Sequence, residues 1–303
     1  MRYLVTGAAG FIGSHLLDAL AAAGHDVVGI DSYTDYYNPA LKDENARGHD
    51  VRRLDLAEDE LELGGYDGVF HLAGQPGVRS FGDAFPLYLR RNVLASQRLF
   101  EAAARDGVRV VFASSSSVYG AVERYPTPED VTPQPLSPYG ITKLACEHLA
   151  DAYARQFGLD CVVLRYFNAF GPRQRPDMAF ARIVSALADG GVFDLFGDGT
   201  QTRSWTFVSD VTDATVRAMD GGIGTYNVGG ALEASMNEAI ELLEGISGLR
   251  LELRRHTAVP GDQPRTRADT RRIRGELGWA PQVSLSDGLR RQWEWSSARV
   301  VAR

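Results

Sequence analysis

Tyr139 and Lys143 stand one helical turn apart, so a helix through them puts a phenol and an ammonium on the same face. A tyrosine left to itself keeps its proton to about pH 10 and is a poor base at neutral pH. A fixed cation beside it would stabilise the phenolate and make it a usable proton acceptor. Upstream runs Phe112-Ala-Ser-Ser-Ser-Ser-Val-Tyr-Gly120, a β-type stretch ending in hydroxyls, and Ser115 is its candidate hydrogen-bonding partner for a reacting oxygen. The carboxyl ends of parallel strands are where open α/β sheets place their chemistry. By itself, the spacing is better read as two exposed helix residues. The serines, and a glycine-rich turn at the start of the chain, give it a setting.

That turn reads Gly7-Ala-Ala-Gly10-Phe-Ile-Gly13, after one apolar strand pattern and at the opening of a helical one. Glycines there permit a tight turn and close backbone approach, and the first amides of the helix face an anion such as a dinucleotide pyrophosphate. Asp31 ends the next strand pattern, where its carboxylate would accept from ribose hydroxyls and repel a phosphate on that ribose, favouring NAD over NADP. Asp55-Leu56 could touch the adenine and Leu72-Ala73-Gly74 could line the dinucleotide, though ordinary strand-end packing accounts for these positions equally well.

The elements that must hold these residues alternate. Tyr3–Thr6, Asp26–Ile30, Val51–Leu54, Gly68–Leu72, Val108–Ser114 and Asp160–Arg165 read as strands. Phe11–Ala23, Pro86–Asp106 and Pro138–Phe157 read as helices. Repeated βαβ units predict a doubly wound parallel α/β sheet of the Rossmann type. After Asn168 the chain turns to Gly, Pro and Arg-rich loops, with a helix over Ala179–Asp189. Strand and helix over Thr206–Met219 and a strand at Tyr226–Val228 suggest a return to the first lobe. The expected division is therefore 1–168 plus about 206–228 for the dinucleotide, and about 169–205 plus 229–303 for a smaller, discontinuous α/β substrate domain, with a frayed tail beyond Trp295.

Composition bounds the rest. A chain of 303 residues, 44% hydrophobic and 23% charged, can bury a substantial core. A net charge of −7 argues against nucleic-acid or anionic-membrane partners. Two cysteines, Cys146 and Cys161, build neither a disulfide framework nor a metal site, so no metal is expected. The N-terminus runs directly into a strand without a leader pattern, and no apolar run reaches membrane-spanning length. A cytoplasmic protein is the expectation.

Taken together, GAAGFIGSH, His71-Leu-Ala, Ser114-Ser-Ser-Ser-Val-Tyr-Gly120, Tyr139 with Lys143, Arg165-Tyr-Phe-Asn168 and Phe196-Gly-Asp-Gly with Arg203 resemble the extended short-chain dehydrogenase/reductases, specifically the nucleotide-sugar epimerases and dehydratases. The resemblance spans nearly the whole chain. It implies bound NAD, with Phe11, Ile12, Ser32, Gln75, Asn92, Ser114 and Tyr166 joining the cofactor residues named above. It also implies a UDP-sugar, with Arg79, Ser116, Ser117, Asn168, Arg175, Phe196, Arg203 and Asp262 on the substrate side. An aromatic ring suits uracil, and an arginine fork suits a diphosphate. Many hexose epimerases carry an arginine where this chain has Val259, and Arg265 or Arg267 would stand in for it. Helices 86–106 and 138–157 match those that pair in dimeric relatives, so a homodimer is expected.

By that resemblance Tyr139 takes the proton from the hydroxyl on the sugar's carbon 4 while NAD is reduced, Ser115 binds the same oxygen, and Lys143 holds the nicotinamide ribose. The step after oxidation separates the family's chemistries. Dehydratases place an Asp-Glu pair after the hydroxyl residue, and the decarboxylase relatives carry a glutamate at the second of those positions. Here the positions are Ser116 and Ser117, which do not titrate near neutrality. An epimerase needs neither acid. Asp31 to Lys42, Gln75-Pro-Gly-Val-Arg79 and Arg175-Pro-Asp-Met-Ala179 further resemble hexuronate 4-epimerases, in which Arg175 would pair with a sugar carboxylate. UDP-glucuronate and UDP-galacturonate are thus the expected substrates. UDP-glucose and UDP-galactose are the first alternative, and a decarboxylase, dehydrogenase or 4,6-dehydratase stands behind them.

Overall fold

The computed structural model describes residues 1–77, 82–258 and 263–301; Arg79, Val259 and Asp262 lie outside them. In chain order the strands are β1 (Arg2–Thr6), β2 (Asp26–Asp31), β3 (Asp50–Arg53), β4 (Gly68–His71), β5 (Arg109–Ser115), β6 (Cys161–Tyr166), β7 (Ala169–Phe170), β8 (Val192–Phe196), β9 (Thr202–Ser204), β10 (Thr206–Phe207), β11 (Gly224–Val228), β12 (Glu233–Ser235), β13 (Glu252–His256) and β14 (Arg265–Thr266). The helices are α1 (Phe11–Ala22), α2 (Pro39–Asn45), α3 (Phe85–Tyr88), α4 (Ala95–Asp106), α5 (Pro138–Phe157), α6 (Ala179–Asp189), α7 (Val208–Asp220), α8 (Met236–Ser247), α9 (Arg271–Leu277) and α10 (Leu285–Val301).

Seven strands form one parallel sheet in the order β3-β2-β1-β4-β5-β6-β11, the doubly wound Rossmann arrangement. Near-continuous apolar runs such as Val110–Ala113 fit strands covered on both faces. One face buries Leu16, Leu17, Phe70, Val111, Tyr226 and Trp279. The other buries Leu4, Val69, Leu99, Phe100, Phe112 and Cys146. Each such side chain contributes about 1.5–3 kcal/mol when fully buried. The order reverses between β1 and β4, which opens a crevice at their carboxyl ends.

The remaining elements gather around Phe170, Phe180, Phe193, Leu195, Phe207, Leu243 and Leu289. Short strands carry this region: β8 with β13, β7 with β10, and a ribbon β12-β9-β14. Such brief segments lack the length for a readable period-two pattern, and most of them escaped the sequence. Helix starts were better marked. Ser137 caps α5 through its hydroxyl, which accepts from the Gly140 amide at 3.0 Å, with Pro138 in the first turn.

Two expectations need correction. The helix anticipated over Pro86–Asp106 begins at Phe85 and contains a π-helical turn at Leu89–Leu94, between α3 and α4. That turn presents Asn92 inward: its amide oxygen accepts from the Gln75 amide at 2.6 Å and its nitrogen donates to Thr142 Oγ1 at 2.9 Å. The C-terminal helix does not end at Trp295 but continues to Val301; the Arg299 guanidinium lies 4.4 Å over the Trp295 ring and pairs with Glu44.

Candidate active site

The crevice at the sheet's reversal collects nearly every residue expected at the dinucleotide. Gly7, Gly10, Phe11, Ile12, Gly13, Asp31, Ser32, Asp55, Leu56, Leu72, Ala73, Gly74, Gln75, Ser114, Tyr139, Lys143 and Tyr166 line one cleft. Asn92 does not line it; it braces Gln75 from behind.

The cleft fits a dinucleotide by its own geometry. Gly7 holds a φ of +66°, and a Cβ there would meet the Ala73 nitrogen at 2.8 Å. A Cβ on Gly13 would run into the Gly7 carbonyl, so the turn can lie flat against the sheet only with glycine at both places. No side chain caps the start of α1 and no acid stands in its first turn, which leaves the first amides for an anion. Asp31, almost buried, accepts from the Ala9 amide at 3.2 Å and the Tyr33 amide at 2.8 Å, fixing its carboxylate at the end of β2. Lys42, Arg91, Lys143 and Arg175 line the cleft with the acids Asp31 and Asp55, an excess of cations that suits an anionic ligand.

Several of these residues were not singled out from the sequence. Lys42 sits on α2, its ammonium 3.7 Å from Asp31 and donating to Thr34 Oγ1 at 3.2 Å. The signal was present: Asn38 before Pro39 marks a helix start, and its side chain accepts from the Ala40 amide at 3.0 Å. Thr6, Tyr36, Tyr37 and Arg91 also line the cleft. Beneath it, His71 is wholly buried between Thr6 Oγ1 at 2.8 Å and Ser96 Oγ at 2.9 Å. Burial pushes the imidazole down to about 3, helped by the Lys143 charge, so it is neutral.

At the chemical end, α5 carries Tyr139 and Lys143 one turn apart as anticipated. The Lys143 ammonium is buried, donates to the Ala113 carbonyl at 2.7 Å and lies 5.9 Å from the Tyr139 ring centre. Ser115 ends β5. Its hydroxyl accepts from the Ser117 amide at 3.2 Å, so Ser115, Ser116 and Ser117 form one tight turn packed against α5. Tyr166 faces the cleft from β6, its phenol 2.6 Å from Thr215 Oγ1 and held protonated by burial. Arg175 reaches the same cleft from the 171–178 loop, gripping Asp177 with two contacts of 3.0 and 3.1 Å, while Asp177 accepts from Tyr36 at 3.3 Å.

The remaining substrate-side residues lie farther along the groove. Asn168 adopts a φ of 42° and donates to the Ser204 carbonyl and Thr266 Oγ1 at 3.2 and 2.9 Å. Phe196 lines a second depression with Gln201 and Gln263, its ring stacked on His256 at 4.9 Å. Arg203 pairs in register with Thr266, so these two share a face of the β9–β14 ribbon. Arg265 and Arg267 take the alternate face, and both guanidiniums turn to Glu233, at 2.7 and 3.3 Å. The register therefore puts them on the opposite face of the ribbon from Arg203.

Comparison with known proteins places this geometry. Residues 3–229 match the NAD dependent epimerase/dehydratase family. The structure of UDP-glucuronic acid 4-epimerase from Bacillus cereus, in complex with UDP-glucuronic acid and NAD, superposes with a TM-score of 0.95 at 40% identity, covering 99% of this chain and 100% of that one. UDP-glucose 4-epimerase of Mycolicibacterium smegmatis is 40% identical over 97% of this chain and 98% of its own length. UDP-glucuronate 4-epimerase of Thermodesulfobacterium geofontis is 33% identical over 98% and 97%. With the glycine turn, the Tyr139–Lys143 helix and the sheet order all in place, the chain belongs to the NAD-dependent epimerase/dehydratase family.

Proposed function

We propose that this chain is a nucleotide-sugar 4-epimerase that interconverts UDP-glucuronate and UDP-galacturonate through a 4-keto sugar. The observation that carries the reading is a cleft holding Tyr139, Lys143 and Arg175 together, beside a strand end that offers serines in place of acids. NAD, when bound, serves as the two-electron oxidant of carbon 4 and then as its reductant. Tyr139 accepts the proton of the carbon 4 hydroxyl and returns it after the sugar has turned over. Lys143, with one donor fixed to Ala113, keeps two for ribose oxygens and brings positive charge toward the developing phenolate. Ser115 donates to the reacting oxygen. With Ser116 and Ser117 following it, no carboxylic acid stands in that turn to protonate a leaving hydroxyl. The alternative, interconversion of UDP-glucose and UDP-galactose, draws on the Mycolicibacterium relative. Arg175 in the cleft favours the acidic sugar.

Asp31 supports NAD over its phosphorylated form. Leu87, Leu89, Leu94 and Ile141, between 36% and 44% exposed on the adjoining helices α3 to α5, support a homodimer built on that face. No helix among the described residues is long and apolar enough to cross a membrane. The two cysteines are free, which fits a reducing compartment, and we place the enzyme in the cytoplasm. The test is incubation of the purified protein with UDP-glucuronate, UDP-glucose and UDP-N-acetylglucosamine without added NAD, with identification of the products. UDP-galacturonate as the principal product supports the reading; turnover of the neutral sugars alone overturns it.

A further inference from the structure

Below the reacting groups lies a second set of charges that the proposed chemistry does not use. Tyr139, Lys143 and Glu147 succeed one another at single-turn intervals down one face of α5. The Glu147 carboxylate and the Arg165 guanidinium are only 8% and 7% exposed, and meet at 2.6 Å, with Arg165 Nε adding contacts of 3.0 and 3.2 Å. Ser114 Oγ donates to Glu147 Oε1 at 2.5 Å. Arg165 also donates to the Tyr119 phenol at 2.8 Å, and Tyr119 donates to Asn227 Oδ1 at 2.7 Å. Helix α5, the ends of β5 and β6, and β11 are thereby tied at one point.

A buried ion pair is a poor stability device, since an apolar pair of similar volume often serves as well or better. Its placement here is informative. Ser114 immediately precedes Ser115, and in the β5–β6 register Ser114 lies beside Arg165 while Ser115 lies beside Tyr166. Lys143 fixes the Ala113 carbonyl one turn above. Two successive residues of β5 are thus bound by two successive turns of α5.

We infer that Glu147 is a positioning residue: with Arg165 it latches the serine end of β5 to the helix that carries Tyr139, and it neutralises a permanent cation that would otherwise act on that tyrosine. This rests on the reading of Tyr139 as the base. The charged and titratable groups around the latch are Lys143 and Cys146 on α5, Tyr119 beyond β5, Tyr166 on β6 and Glu129, whose side chain accepts from the Asn227 amide. His71 on β4 stands by Lys143 and is neutral. Arg165 keeps its charge: burial works against it, but the Glu147 carboxylate and the Tyr119 phenol more than offset that and hold its proton further still.

Glu147→Gln keeps an acceptor for Ser114 and removes the neutralising charge. The uncovered Arg165 cation sits against position 147, about 12 Å along α5 from Tyr139, and favours the phenolate. The acid limb of the kcat profile then moves down by about half to one pH unit, taking an effective dielectric of about 20. Glu147→Gln with Arg165→Met removes both charges and returns the limb to its wild-type position. Glu147→Leu with Arg165→Met removes the Ser114 acceptor as well. In that variant kcat on UDP-glucuronate falls at least about tenfold, KM stays within about threefold and the melting temperature stays within a few degrees, because a strand end that shifts slightly costs rate before binding. The Gln/Met pair recovers most of that kcat.

If Glu147→Gln does not fold, the two charge-free pairs still decide the matter through kcat, KM and melting temperature. An unmoved acid limb in Glu147→Gln, or equal kcat in the Leu/Met and Gln/Met pairs, overturns the inference. Wild-type protein with no activity on any UDP-sugar overturns the epimerase reading instead.

Discussion

Arg175→Ala is the substitution that separates an acidic-sugar enzyme from a neutral-sugar one. A uronic acid oxidised at carbon 4 is a β-keto acid, and it loses carbon dioxide readily when the breaking bond lies parallel to the carbonyl π orbitals. An epimerase must hold the carboxylate out of that alignment, and on the proposed reading Arg175 with Ser116 or Ser117 would supply the donors. A charge-assisted hydrogen bond contributes about 1.5–3 kcal/mol. Arg175 is already engaged, gripping Asp177 at 3.0 and 3.1 Å, so substrate exchanges one carboxylate for another and the gain falls at the lower end of that range. About 1.5 kcal/mol corresponds to roughly a tenfold loss of kcat/KM on UDP-glucuronate. UDP-glucose, with no carboxylate to lose, should change by less than about threefold. The assay is initial rates on both sugars, with chromatography of the UDP-glucuronate reaction for a 4-ketopentose product. Equal losses on the two sugars would refute the reasoning and return the hexose pair to first place.

The same site sets other outcomes. Tyr139→Phe keeps the ring but removes the proton acceptor; kcat should fall at least about 10²-fold while UDP-sugar binding by calorimetry stays near wild type, and a near-native rate would reject the assigned base. Lys143→Ala should lose bound NAD during gel filtration as well as rate, read from the nucleotide released on denaturation. Wild-type protein should retain NAD through purification and show no need for NADP. His71 titrates near 6.5 when unfolded and at about 3 in the fold, so below pH 6.5 the unfolded chain alone takes up the proton and stability falls with pH. Urea unfolding should therefore show wild type losing about 1.4 kcal/mol more than His71→Gln between pH 7.5 and 5.5; parallel losses would mean that His71 is not buried neutral.

The sequence exposed what is local. A glycine turn between a strand and a helix, an acid at the end of the second strand, and tyrosine and lysine one turn apart each require particular residue types at fixed spacing, and all of them meet in one cleft. The parallel sheet covered on both faces came from repeated βαβ patterning. Hidden were features set by packing between distant segments. The π-helical turn at Leu89–Leu94 leaves the apolar period nearly intact and yet rotates Asn92 behind Gln75. Lys42 was not singled out, because only the fold brings its ammonium to Asp31 at the end of β2. That Arg265 and Arg267 share one face of the β9–β14 ribbon and both reach Glu233 follows from a strand register that their own stretch of sequence does not mark. The Glu147–Arg165 pair joins residues 18 positions apart, through a strand pairing that no local pattern announces.

The central claim is oxidation and reduction of one carbon within one cleft, and the most direct measurement tracks the hydrogen on that carbon. UDP-glucuronate labelled with deuterium at carbon 4 is incubated in ordinary water with purified protein and no added NAD, and the products are read by NMR and mass spectrometry. Full retention of deuterium at carbon 4 of UDP-galacturonate, with neither carbon dioxide nor free NADH released, is the predicted result. Loss of the label to solvent, its appearance in released cofactor, or a product lacking the carboxylate would contradict the account.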